Sequence, residues 1–210
     1  MSRCVIVGGA DIGDASWISA LFQPDDVFVY CDSGLRHRDT LGREPALIVG
    51  DFDSFRLPEE TGAELIVLPR EKDDTDTVYA VKEMLRRGCA DFLLIGVTGG
   101  RIDHTLGNLS LLMMLDSAGA RGMIADDCSV IEIVSREPAI VTDRWPFFSL
   151  LSAGGEASGV TVTGAKYPLT EAVLTPEFPL GVSNEVLPGR TAEISVAEGR
   201  RAEDRQDQCG

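Results

Sequence analysis

Between residues 4 and 125 the chain alternates short apolar runs with longer stretches of helical period, and this alternation constrains the fold more than any other feature. The runs fall at Cys4 to Val7, Val27 to Cys31, Ala46 to Val49, Glu64 to Leu68, Phe92 to Val97 and Gly122 to Ala125. A strand with one wet face alternates apolar and polar residues, whereas a strand covered on both faces need not. Most of these runs are therefore read as buried parallel strands. Two of the intervening stretches carry full helix signals. Over Thr75 to Arg87, the residues Val78, Val81, Met84 and Leu85 recur at helical spacing, acids crowd the first turn, Arg86 and Arg87 close the last, and Gly88 fits the stop. Over Asp103 to Ala118, Leu106, Leu109, Leu112 and Met113 do the same, with Gly119 as the stop. The predicted fold class is α/β, with a doubly wound, mostly parallel sheet.

After about Asp126 the texture changes. Ser129 to Val134, Ala139 to Val141, Phe147 to Leu151, Val160 to Thr163, Ala172 to Leu174 and Ala192 to Val196 are short strand-like runs separated by Gly, Pro and Ser, with no convincing helix. The expected organisation is an α/β catalytic domain over 1–126, a smaller all-β, sandwich-like domain over 127–199, and a frayed polar tail over 200–210.

The chain has 210 residues, 44% of them hydrophobic, enough to bury a real core. Its 34 Asp and Glu against 19 Lys and Arg leave a net charge of -15. Sequence-independent binding of nucleic acid or an anionic membrane needs clustered basic charge, so neither is an expected partner. A polyanionic ligand would need a metal ion to approach. The apolar run Cys4 to Val7 is too short for a signal-peptide core, and no segment approaches a membrane span, so the expected location is the cytoplasm. The 5 cysteines show no C-x-x-C spacing and are odd in number, which argues against a zinc site or a disulfide framework and for small buried thiols in a reducing compartment.

Ligands of an open parallel sheet bind beyond the carboxyl ends of its strands, and the polar signals of this chain gather there. Gly8-Gly9-Ala10-Asp11 follows the first run, Asp32-Ser33-Gly34 the second and Gly50-Asp51-Phe52-Asp53-Ser54 the third. Later loops carry Lys72-Asp73-Asp74-Thr75-Asp76 and Gly99-Gly100-Arg101-Ile102-Asp103-His104. In an extended segment Asp51 and Asp53 point the same way, as two oxygen ligands of one hard cation should. The alternative is a turn in which they cap the next helix. Asp-x-Asp pairs also occur in haloacid-dehalogenase-type phosphatases and metal-dependent glycosyltransferases. Asp73, Asp74 and Asp76 open a helix, where acids already complement the dipole, but three with Lys72 exceed what capping needs. Asp74 is read as the cap. Lys72 and Arg101 suit phosphate, and Gly99 and Gly100 let the backbone approach a ligand. His104 beside Asp103 is read as a structural partner, and His37, among Arg36, Arg38 and Asp39, as surface. No G-x-x-x-x-G-K-[ST] loop, G-x-S-x-G elbow or Cys-His pairing is present.

Gly50 to Ser54, Lys72 to Thr77 and Gly99 to Leu112 resemble, in order and spacing, the catalytic-domain motifs of thiamine pyrophosphokinases. Gly159 to Leu169 and Gly181-Val182-Ser183-Asn184-Glu185 are similar to the thiamine-binding domain signatures of that family. The resemblance implies transfer of a pyrophosphoryl group from ATP to the hydroxyl of thiamine, giving thiamine diphosphate and AMP. It implies a Mg2+ ion held by Asp51, Asp53, Asp76 and Asp103, with Arg101 on the phosphates. Asp32, Ser33, Lys72, Asp73, Thr75, Gly99 and Gly100 complete the ATP side, and Ser183 and Asn184 meet thiamine. It further implies a homodimer with shared active sites. A metal-dependent phosphohydrolase and a non-catalytic thiamine- or nucleotide-binding protein are the alternatives. One departure is visible: family chains commonly end in a further apolar strand, whereas Glu198 to Ala202 runs into polar sequence.

Overall fold

A computed structural model of the chain describes residues 2–52, 62–71 and 73–199, and the backbone of 201–206. It divides into two compact units, Met1–Asp127 and Cys128–Gly210.

The first unit is built on strands β1 (Cys4–Val7), β2 (Val27–Cys31), β3 (Leu47–Gly50), β4 (Glu64–Val67), β5 (Asp91–Ile95) and β6 (Arg121–Ala125). They lie in the order β6-β5-β1-β2-β3-β4, and every adjacent pair is parallel. The buried runs behave as their composition requires: all of β1 and most of β5 are inaccessible to solvent. One cluster joins Val5, Val7, Phe28, Tyr30, Leu93 and Ile95 to Ile18 of the short helix α1 (Ala15–Ser19) and to Leu41 of α2 (Arg38–Leu41). A 3-10 segment, Asp32–His37, links β2 to α2.

The two predicted helices are α3 (Asp76–Arg86) and α4 (Ile102–Ser117). In α3 the Thr75 hydroxyl caps the first turn by accepting from Val78 N at 3.3 Å. The cap is therefore Thr75 rather than Asp74, whose carboxylate instead pairs with Lys82 at 2.7 Å. The inward stripe of α4 is Asn108, Leu111, Leu112 and Leu115, whereas Ile102 and Leu106 are exposed.

The second unit contains β7 (Ser129–Val134), β8 (Ala139–Thr142), β9 (Phe147–Ser152), β10 (Ala157–Thr163), β11 (Leu169–Leu174), β12 (Gly181–Asn184), β13 (Thr191–Ser195) and β14 (Arg201–Gln206). They form antiparallel arrays in the orders β12-β9-β14-β7 and β11-β10-β13-β8. Two strands depart from expectation. β12 is short, polar and irregular, with Ser183 at φ 59 and a register shift against β9. β14 replaces part of the frayed tail: its backbone pairs with β7 on one side and β9 on the other, from Arg201↔Val134 and Arg201↔Ser152 onward. Pairing on both sides satisfies the backbone whatever the side chains are, so the apolar alternation used to find strands is absent there.

Cys4, Cys31 and Cys89 are free thiols, and burial raises the pKa of each. Cys128 is disulfide-bonded, against the expectation of reduced thiols throughout. Among the described residues no helix is long and apolar enough to cross a membrane.

Candidate active site

β1 and β5 are neighbours, and the chain leaves them on opposite sides, through β2, β3 and β4 one way and β6 the other. Such a reversal opens a crevice at the carboxyl ends of the two strands. Here the backbones that form its floor touch. Gly8 N donates to Ile95 O and Ala10 N to Gly96 O, both at 2.8 Å. A Cβ on Gly8 would lie 2.5 Å from Gly96 O, and one on Gly96, at φ +62, would lie 2.6 Å from Gly8 O. Neither position has room for a side chain, and the left-handed φ of Gly96 is strained for any other residue.

Above this floor lies a cleft of about 330 Å³. Gly8, Gly9 and Ala10 line it after β1, and Cys31, Asp32 and Ser33 after β2. Thr75, Asp76 and Thr77 line it at the start of α3, Gly96, Val97, Gly99, Gly100 and Arg101 after β5, and His104 and Asn108 on α4.

Asp32 and Asp76 each bring a carboxylate oxygen that is buried from solvent. Asp32 sits at φ 42, a left-handed conformation rare for a side-chain-bearing residue, where β2 turns into the 3-10 segment. Asp76 begins α3, and the Cys31 thiol bonds its carbonyl at 3.8 Å, tying the helix start to the end of β2. A Cβ on Gly50 would lie 3.1 Å from Asp32 Cα, so the end of β3, and with it Asp51, runs beside Asp32. Phe52, however, has φ 56 and packs against the core, so the backbone at Phe52 is not the extended one that the pairing of Asp51 with Asp53 assumes. Asp53 and Lys72 lie outside the described residues. Asp51 is half-buried and Asp73 exposed, and neither lines the cleft.

Gly99 and Gly100, at φ +81 and +63, face open space. Arg101 follows them at the cleft wall and is held by Asp103, with Nε donating to Oδ1 at 3.1 Å and Nη2 to Oδ2 at 2.5 Å. The Asp103 carboxylate does not line the cleft. The hydrogen bonds from Arg101 lower its pKa to about 2. His104 N donates to Asp103 Oδ1 at 3.0 Å.

Two contributors are not evident from the motifs. Asn108 is buried and donates from Nδ2 to Val97 O at 2.7 Å, pinning α4 to the loop after β5. A polar residue on the stripe shared with Leu111, Leu112 and Leu115 was the available signal. His37 is not a surface residue: it is 8% exposed, and its Nε2 donates to Ala10 O at 2.8 Å. Burial lowers its pKa.

In the second unit Ser183 is exposed, and its amide donates to Ser149 Oγ at 3.0 Å. Asn184 is 4% exposed and is spent on the fold. Its Oδ1 accepts from Tyr167 N at 3.1 Å and Glu185 N at 2.9 Å, and its Nδ2 donates to Tyr167 O at 2.8 Å.

Carboxylate oxygens suit a hard divalent cation, a guanidinium suits phosphate oxygens, and bare glycine loops admit a bulky anion closely. A parallel α/β sheet carrying this combination at its switch point defines an enzyme of the phosphoryl-handling class. Residues 18–124 match the model of the thiamin pyrophosphokinase catalytic domain, and residues 131–200 that of the thiamin pyrophosphokinase vitamin B1 binding domain. The thiamine pyrophosphokinase of Bacillus subtilis is 32% identical over 162 residues, 74% of this chain and 75% of that protein. A crystal structure of thiamine pyrophosphokinase from Bacillus subtilis superposes with a TM-score of 0.87 at 23% identity, covering 99% of this chain and 100% of that one. A thiamin pyrophosphokinase family protein from Enterococcus faecalis does so with 0.82 at 29% identity, covering 99% and 100%. The chain belongs to the thiamin pyrophosphokinase family. That membership makes it an enzyme, a thiamine diphosphokinase, and the hydrolase and binding-protein alternatives are not favoured.

Proposed function

We propose that the cleft binds ATP with a Mg2+ ion and that the thiamine hydroxyl oxygen attacks the β-phosphorus, breaking the bond to the bridging α,β oxygen. AMP leaves with that oxygen, thiamine diphosphate forms, and the hydroxyl proton is released. The observation that carries this reading is the meeting of the buried Asp32 and Asp76 carboxylate oxygens with Arg101 in one glycine-floored cleft.

The donor set fits a hard divalent ion, because every candidate ligand is a carboxylate and no thiol or imidazole is needed. Asp76 and Asp32, with Asp51 beside them and Asp53, would hold the ion. When bound, it supplies positive charge to the phosphate oxygens. The chain's own groups position the reactants. Arg101 binds phosphate through its planar fork, and Asp103 acts through Arg101, fixing the guanidinium rather than meeting the ion directly. Gly99 and Gly100 admit the phosphates, and Ser33 and Thr75 line the same cleft; Lys72 and Asp73 would complete the ATP side. No covalent enzyme intermediate is required, so catalysis is orientation plus charge stabilisation.

The exposed Ser183 is the proposed thiamine contact of the second unit, and Asn184 sets the turn that presents it. The functional form is a homodimer working in the cytoplasm. Incubation with thiamine, ATP and Mg2+, followed by chromatography, tests the reading. AMP with thiamine diphosphate supports transfer, and phosphate without thiamine diphosphate contradicts it.

A further inference from the structure

The 3-10 segment Asp32–His37 lines the cleft at its first end and holds a cleft-lining loop at its last. Asp32 and Ser33 line the cavity, while Arg36 and His37 reach back to the loop that follows β1. His37 Nε2 lies 2.8 Å from Ala10 O, a contact in which only the ring nitrogen can donate, so Arg36 Nε, 3.3 Å from that same nitrogen, is the longer and competing neighbour; Arg36 Nη2 donates to Gly9 O. From the other side, the Gly8 and Ala10 amides donate to Ile95 O and Gly96 O. The peptide plane between Gly9 and Ala10 is therefore held at both edges: its carbonyl by Arg36 and its amide by Gly96. Two glycines followed by alanine would otherwise have wide backbone freedom. Among the described residues the Gly9 amide has no partner, and Gly9 lines the cleft.

We propose that Arg36 and His37 are positioning residues for the polyphosphate donor: they clip the Gly9 and Ala10 carbonyls so that the loop is preorganised to meet phosphate oxygens through its backbone. This rests on the reading that the cleft binds ATP. Neither side chain touches the donor. Their effect is to place the loop, and to couple it to Asp32 and Ser33 at the other end of the same short segment.

The test varies ATP and thiamine separately in steady-state assays of His37→Phe, His37→Gln, Arg36→Met and Arg36→Lys, with melting temperatures measured alongside. His37→Phe and Arg36→Met should each raise the KM for ATP roughly five- to ten-fold, the scale of one lost hydrogen bond, and leave the KM for thiamine within about twofold. His37→Gln and Arg36→Lys keep a donor and should recover most of the loss. Arg36 is exposed, so its variants fold even if His37→Phe does not. A KM for ATP unchanged in Arg36→Met and in the His37 variants that fold overturns the clamp, as does an equal rise for both substrates. A wild-type protein that makes no thiamine diphosphate instead sinks the functional reading and the clamp together.

Discussion

Arg101 and Asp103 are bound to each other through two hydrogen bonds, at 3.1 and 2.5 Å, although both side chains are largely exposed. In a chain of net charge -15, a cation at the wall of an acid-containing cleft must be held there if it is to meet phosphate rather than wander to other carboxylates.

Asp103→Asn should therefore raise the KM for ATP with a smaller effect on kcat, and Arg101→Met should cost more, about 10²-fold in kcat/KM, because it removes the phosphate contact itself. Arg101→Lys should recover only part of that, since an ammonium cannot reproduce the fork. With its pKa held near 2 by Arg101, Asp103 stays charged throughout pH 5 to 9 and should contribute no step to the rate profile there. Steady-state kinetics of the three variants checks this.

Asn184 and Ser183 should separate cleanly. Asn184→Ala leaves the Tyr167 and Glu185 backbone groups without their partner and should cost about 2 kcal/mol of stability, read by denaturant titration. Ser183→Ala should leave stability nearly unchanged and raise the KM for thiamine roughly five-fold, the value of one polar contact. Equal losses of stability in both variants would contradict the division of labour.

Glu83 receives hydrogen bonds from Arg86 and Arg87, which lower its pKa from 4.5 to about 2, and Arg87 also pairs with Glu64 at 2.6 Å. Because the folded-state value is depressed, the unfolded chain binds the proton more readily. The stabilisation is present above about pH 4.5 and is lost as pH falls towards 2. Glu83→Gln should melt below wild type at pH 6, and the gap should close near pH 2. Thermal melts at the two values decide it.

The strands of the first unit were legible because burial on both faces writes itself into composition: β1 and β2 have the bounds their apolar runs predict. β14 was not, since a strand paired on both edges can carry Arg-Ala-Glu-Asp-Arg-Gln. At the site, strand-end loops were legible as a group, and Asp32, Ser33, Thr75, Asp76, Gly99, Gly100 and Arg101 do line one cleft. Local backbone was harder to read. The alternation that should align Asp51 with Asp53 assumes an extended Phe52, and Phe52 turns left-handed. His37 sits among charged neighbours, but a 3-10 turn repeats every three residues and stacks it over Gly34, and both are buried.

The most direct measurement is the rate of AMP and thiamine diphosphate formation by Asp76→Asn and Asp51→Asn against wild type, at saturating ATP, thiamine and Mg2+, with melting temperature confirming the fold. If the cleft at the ends of β1, β2 and β5 is the transfer site and these acids hold its cation, each variant loses at least ~10²-fold in rate. Near-normal turnover in both would contradict the assignment.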